Sequence, residues 1–377
     1  MEVVARGIYQ HIILGFARAV VYSYNRLTGI SRTTMPGPAL TGTTSASLLQ
    51  QCLTAQDGLP PLLTREFHSV GVVGNGDANA DSIKDSNDCI RVMTWNTLAD
   101  ALCLGSDNFI KCPKKALKWE TRKYRCLEEI LTYNPDVVCL QEVDHFPDFY
   151  QPMLEQIGYK GTFKPKRYSP CLDVLHNSGP DGCAIFYKQN KFEVLETISQ
   201  GLTATAGGRT WKSNQVILCH RFRCLTSNLK GREVVIGTTH LKAKPGYDDV
   251  RHSQGVDLLK IIKPKVNDAP VIIGGDFNAE PTEKVYKAFS ECDLNFKSAY
   301  KLLDGEATKE PAYTTWKIRP AGDVCHTIDY MWYTYSKLAP VSLLSIPTED
   351  AIGPNRLPSY GYPSDHLSLV CDFKFVT

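Results

Sequence analysis

The stretch Val271-Ile272-Ile273-Gly274-Gly275-Asp276-Phe277-Asn278 constrains the fold of this chain more than any other. Three β-branched residues in a row read as a buried strand. Two glycines end the run, and an acid and an amide follow with one residue between them. Glycine lets a backbone turn without steric cost. A tight turn here is therefore expected to point Asp276 and Asn278 into one small volume, where they could orient a water and stabilise an oxyanion. The same plan recurs along the chain. Asn96 follows Val92–Thr94, and Glu142 follows Val137–Leu140. His240 follows Val234–Gly237, with Lys242 and Lys244 just beyond. Asp329 sits within Thr327–Tyr330, and Asp365-His366 precede Leu367–Asp372.

Between these points the periodicity predicts strands at Ile90–Trp95, Asp136–Leu140, Tyr159–Phe163, Cys183–Tyr187, Phe192–Ile198, Gln215–Phe222 and Glu233–Thr239. More follow at Tyr313–Ile318, Thr327–Tyr333, Val341–Ile346 and Leu367–Phe375. Helices are expected at Lys115–Tyr133, Phe146–Ile157, Asp248–Ile262 and Glu283–Cys292. In the first, Leu117, Tyr124, Leu127 and Leu131 share a face, and Asn134-Pro135 stops the helix. Too many strands follow one another directly for a doubly wound parallel sheet, so a mixed-sheet architecture is expected.

The 377 residues carry a net charge of only +2, which is not the footprint of a general nucleic-acid binder. Thirteen cysteines, scattered and without a C-x-x-C pair, argue against a zinc module and a disulfide framework. Cys139, Cys183, Cys219 and Cys371 lie in apolar runs and read as small buried hydrophobes. Residues 1–32 hold four arginines and one acid among apolar residues, the composition of a mitochondrial transit segment. Their apolar run is broken by His11 and Arg18, so stable membrane insertion is not expected. Residues 33–88 read as a low-complexity, largely disordered linker, with Leu59–Phe67 a short docking segment. Folded structure is expected from Cys89 to the C-terminus.

Taken together, the polar strand ends hold what metal-assisted phosphoester hydrolysis needs. A carboxylate and amide oxygens suit a hard cation such as Mg²⁺. A histidine oriented by an aspartate can exchange protons or stabilise a transition state. Lysines hold phosphate as point charges.

Trp95-Asn96, Leu140-Gln141-Glu142, Thr239-His240-Leu241, Gly275 to Asn278, Ile328-Asp329-Tyr330 and Ser364-Asp365-His366 appear in that order. The set resembles the endonuclease/exonuclease/phosphatase superfamily. Asn177 to Ala184 (NSGPDGCA), Pro311 to Ile318 (PAYTTWKI) and Gly353 to Ser359 (GPNRLPS) narrow the resemblance to its deadenylase-like branch. This implies a four-layer α/β sandwich of the DNase I kind, with two mixed β-sheets face to face and helices outside. It implies Glu142 as the principal Mg²⁺ ligand with Asn96 close by, Mn²⁺ being a substitute. Asp276 and Asn278 are implied to position water and phosphate. Asp329 and His366 are implied to act at the phosphate, and His240 to contact the transferring phosphoryl group. Lys166, Lys242 and Lys244 are implied to line the substrate pocket of a monomeric enzyme. Lys244 stands where arginine is expected, and Arg167-Tyr168 where Pro-Trp is expected. The implied reaction is removal of the 2′-phosphate of NADP⁺ or NADPH in the mitochondrion or cytoplasm. Trimming of poly(A) RNA from its 3′ end is the alternative.

Overall fold

The computed structural model describes residues 42–70, 88–103, 108–226 and 228–376. The transit-like residues 1–32 lie outside them. Thr43–Thr377 form one compact unit.

Its frame is two mixed sheets. The first has seven strands in the order β1 (Phe67–Ser69), β14 (Leu338–Leu344), β15 (Leu369–Phe375), β2 (Cys89–Asn96), β3 (Val137–Val143), β5 (Gly182–Lys188) and β4 (Tyr159–Pro165). The second has six: β10 (Phe296–Ser298), β13 (Asp329–Thr334), β9 (Val271–Asp276), β8 (Glu233–His240), β7 (Arg209–Cys224) and β6 (Phe192–Ala206). A separate hairpin joins β11 (Thr315–Arg319) to β12 (Gly322–His326). Each sheet contains one parallel pair, β2 with β3 and β8 with β9. Parallel neighbours need a long crossover. Helix α2 (Trp119–Tyr133) supplies the first and α4 (Asp248–Ile262) the second.

Three apolar clusters make the layers. Val92, Cys139, Ile185, Leu218, Ile236, Ile272 and Phe373 fill the space between the sheets. Leu127, Ile130, Val138 and Phe186 pack α1 (Ser45–Ala55), α2 and α3 (Gln151–Glu155) on the outer face of the first sheet. Leu258, Ile273, Phe289 and Trp332 pack α4 and α5 (Lys284–Ser290) on the second. The result is the four-layer α/β sandwich expected, with helices outside. Gln141 pins the sheets together beneath one edge. Its amide donates to Thr94 Oγ1 (3.0 Å) and to Thr238 Oγ1 (2.8 Å).

Two expectations need correction. Gly274 and Gly275 are not turn glycines; both lie inside β9. They are small because neighbours come close. A Cβ on Gly274 would stand 2.5 Å from Thr94 Cβ of the facing sheet, and one on Gly275 2.3 Å from the Thr239 carbonyl. The left-handed conformations fall on site residues instead, Glu142 (φ 56) and Asn278 (φ 50). Secondly, the span 33–88 contains structure from Thr44 onward. A capping box between Thr44 and Ser47 opens α1, and β1 pairs with β14. Arg65 is fully buried against Glu129 of α2 and donates to the Ser368 carbonyl (2.8 Å). Leu48, Cys52 and Leu62 are buried in the same cluster as Leu127 and Ile130 of α2, and the stretch Leu59–Phe67 docks as expected.

Candidate active site

The two parallel pairs end at the same edge of the sandwich. Asn96 and Glu142 lie at the ends of β2 and β3, and His240 and Asp276 at the ends of β8 and β9, in register with each other. Asp329 begins β13 directly opposite Asp276. His366 sits just before β15 and bridges to Thr315. The side chains meet. Asn96 Nδ2 donates to Asp276 Oδ2 (2.9 Å) and Asn278 N to Asp276 Oδ1 (2.8 Å). His366 Nδ1 is 2.9 Å from Asp329 Oδ2. His240 Nε2 lies 3.5 Å from Asp276 Oδ2 and 4.0 Å from Glu142 Oε1, and its Nδ1 lies 3.4 Å from the Lys166 ammonium. An ammonium can only donate, so His240 Nδ1 accepts and Nε2 carries the hydrogen.

Of the expected residues, Asn96, Glu142, Lys166, His240, Asp276, Asp329 and His366 are thus one contiguous group. Asn278 borders it, its amide donating to the Leu241 carbonyl (3.2 Å). Lys242 is half-buried at the rim, over the Tyr247 ring at 4.7 Å, and Lys244 is exposed beyond it. Tyr168 is 67% exposed, with the Arg167 guanidinium 5.0 Å from its ring.

Four supporting residues were not singled out from sequence. Asp181 holds Lys166 (2.6 Å). Thr314 donates to Asp329 Oδ2 (2.6 Å), Lys317 pairs with Asp365, and Ser364 Oγ donates to the Asn96 carbonyl (2.6 Å). Asp181 lies within NSGPDGCA, and Thr314 and Lys317 within PAYTTWKI. Asp181, Thr314 and Ser364 lie in the loops before β5, β11 and β15, and nothing in their spacing marks them.

The charges explain the protonation states. Burial pushes the His366 imidazole down, but Asp329, Asp365 and Asp276 outweigh it and raise it to about 9. Burial, with Lys166 and His366 adding, drives His240 well below its usual value, so it is neutral. Burial raises the Asp276 carboxyl to about 7, against His366 and with Asp329 adding to the rise. Burial also pushes Asp365 up, but Lys317 and His366 hold it below the ordinary carboxylate range.

One-to-one pairing then leaves two groups over. Lys166 answers Asp181, Lys317 answers Asp365, and His366 answers Asp329. Glu142 has no cation of its own among the described residues, and Asp276 has only a share of His366, whose Nε2 lies 3.9 Å away; neutral His240 lies between the two carboxylates. Two incompletely compensated carboxylates beside an amide oxygen are the donor set and charge that a hard divalent cation fits. Asp276, Asp329 and His366 also place ligand atoms within 4.8 Å of one another. Asp329, however, is already engaged by His366 Nδ1 (2.9 Å) and Thr314 Oγ1 (2.6 Å). The Glu142–Asn96 side is therefore the better seat.

Fold and site together define a metal-dependent hydrolase. The sequence pattern of the Endonuclease/Exonuclease/phosphatase family matches residues 93–366. The chain is 51% identical over 330 residues to mouse (Mus musculus) nocturnin, covering 87% of this chain and 73% of that protein. It is 28% identical to the CCR4-Not complex 3′-5′-exoribonuclease subunit Ccr4 of Debaryomyces hansenii, over 83% of this chain and 42% of that one. The solved human Nocturnin catalytic domain with bound sulfate superimposes with a TM-score of 0.68 at 44% identity, covering 84% of this chain and all of that one. The chain belongs to the endonuclease/exonuclease/phosphatase family, in its Ccr4/nocturnin branch.

Proposed function

We propose that the chain removes the 2′-phosphate from NADP⁺ and NADPH with Mg²⁺, giving NAD⁺ or NADH and inorganic phosphate. The likeness to nocturnins supports the branch. One observation carries the substrate class. Lys242 is pressed below its ordinary pKa by burial and by the neighbouring Lys244 and Lys166. Lys166 is already held by Asp181, but Lys242 and Lys244 have no carboxylate partner among the described residues and can take an anion, and a phosphomonoester brings about two negative charges where a backbone diester brings one.

Glu142 and Asn96 would hold the cation, which when bound neutralises charge on the phosphoryl oxygens. The protein groups do the rest. Asp276 accepts the proton of the attacking water, and Asn278 beside it fixes the water's approach. The Nε2–H of neutral His240 donates to a phosphoryl oxygen. His366, held by Asp329, gives its Nε2 proton to the departing 2′-oxygen as the phosphorus–oxygen bond breaks. Lys166, Lys242 and Lys244 draw in the phosphate.

The alternative, hydrolysis of poly(A), draws on the similarity to Ccr4 and needs the same water and cation on a diester. The test offers the full chain Mg²⁺ with either NADPH or a 5′-labelled oligo(A), with Glu142→Ala as control. Phosphate from NADPH, intact RNA and an inactive variant are expected. A shortened RNA ladder that disappears with Glu142→Ala, without phosphate from NADPH, moves the assignment to the exoribonuclease.

A further inference from the structure

Arg122, on the first turns of α2, is 1% exposed and makes no ion pair among the described residues. Its Nε has no acceptor there either. Both terminal nitrogens donate to the Leu98 carbonyl, Nη1 at 2.7 Å, and Nη1 also reaches the Thr97 carbonyl of the same loop (3.5 Å). A buried guanidinium without a carboxylate is a poor way to stabilise a helix; an apolar side chain of similar volume avoids the desolvation.

What the guanidinium holds is a loop that the backbone alone does not favour. Leu98 has φ 60, an uncommon conformation for a residue with a branched side chain, and one that persists only where its surroundings enforce it. In this conformation the loop delivers two amides to the cation seat. Leu98 N donates to Asn96 Oδ1 (3.0 Å), and Ala99 N to Glu142 Oε2 (3.2 Å). The first bond fixes the Asn96 amide, whose other end reaches Asp276. The second leaves Glu142 Oε1 facing the site. Thr97 closes the loop's other side, its N donating to the Gln141 carbonyl (3.0 Å).

We propose that Arg122 is a positioning residue for the metal seat, acting through the Leu98 carbonyl to set the donors of Asn96 and Glu142. Groups that orient metal ligands without touching the metal typically contribute a factor of about 10 to 100 in affinity. Lysine at this position keeps the charge and the stem but loses the fork.

The inference rests on the reading of Glu142 and Asn96 as the seat, and the experiment separates the two. Mn²⁺ binding to the full chain is measured by titration calorimetry, without substrate. Glu142→Gln tests the seat: unchanged binding overturns it. Arg122→Lys tests the inference: affinity is expected to fall about tenfold or more. Arg125→Lys is the control, since Arg125 on the same helix serves Glu128 and the Pro60 carbonyl. It is expected to bind Mn²⁺ as wild type does, whatever its melting temperature. Wild-type affinity in Arg122→Lys, with Glu142→Gln impaired, overturns the role of Arg122. Hydrogen exchange on the wild-type chain gives an answer that does not depend on a variant folding. The Leu98 and Ala99 amides should be protected, and free exchange at both contradicts the proposal.

Discussion

His220 shows what a single residue contributes through its environment. It lies on β7 against Tyr187 and Phe222, 1% exposed, with Thr197 Oγ1 at 2.9 Å from Nδ1. Burial alone lowers its pKa from 6.5 to about 4. The unfolded chain therefore takes the proton first as the pH falls. The stability tied to neutral His220 is complete above pH 6.5 and is lost as the pH drops through about 4. Denaturant titrations of wild type and His220→Phe should diverge over this window, by on the order of 3 kcal/mol at its acid end. Parallel curves would show that His220 does not titrate differently in the two states. Lys244 makes a second prediction. Its backbone (φ 86) is held by Arg251 on its carbonyl (2.9 Å), so the side chain can be changed without moving the loop. Lys244→Arg adds a planar fork for phosphate and should lower the KM for NADPH by about 3- to 10-fold, with kcat little changed. An unchanged KM would place this side chain away from the phosphate.

At the scale of elements, the segment Thr44–Val70 behaves as part of the catalytic unit. Arg65 and Glu129 are both fully buried, and Tyr362 and Ser368 donate to Glu129 as well. Arg65→Met leaves a buried carboxylate without its cation. Stability should fall by about 3 to 5 kcal/mol, read from the denaturation midpoint, while Arg65→Met with Glu129→Gln should recover part of it. The sequence made the strands of the sandwich legible, because apolar β-branched runs between polar turns leave few alternatives. Helix Asp248–Ile262 was legible to its end residues. Three things were not. Helix α1 looked like linker because its first residues are small and only Leu48 and Cys52 within it are buried, whereas docking at Leu59–Phe67 was expected. The glycines of β9 looked like turn residues because the close approach of Thr94 and Thr239 is a tertiary fact. The hairpin β11–β12 was half seen: its second strand, GDVCH, is mostly exposed and carries no apolar alternation.

At the scale of the molecule, the design is a pair of β–α–β units, one in each sheet, whose strand ends converge. Asn96 and Glu142 come from one sheet, His240 and Asp276 from the other, and Gln141 ties the two just below. This explains why the site residues were legible as a class and their supports were not. Each ligand or acid stands at a strand end, where a polar residue in an apolar context is visible. Thr314, Lys317 and Asp181 act by holding another side chain, which spacing does not reveal. No helix among the described residues is long and apolar enough to cross a membrane.

A divalent cation seated on Glu142 and Asn96 would answer the charge left over by Glu142 and Asp276. Anomalous diffraction from crystals of the chain grown with Mn²⁺ tests it most directly. A peak is expected within about 2.0 to 2.6 Å of a Glu142 carboxylate oxygen. A peak bounded instead by Asp276, Asp329 and His366, with none at Glu142, would contradict it.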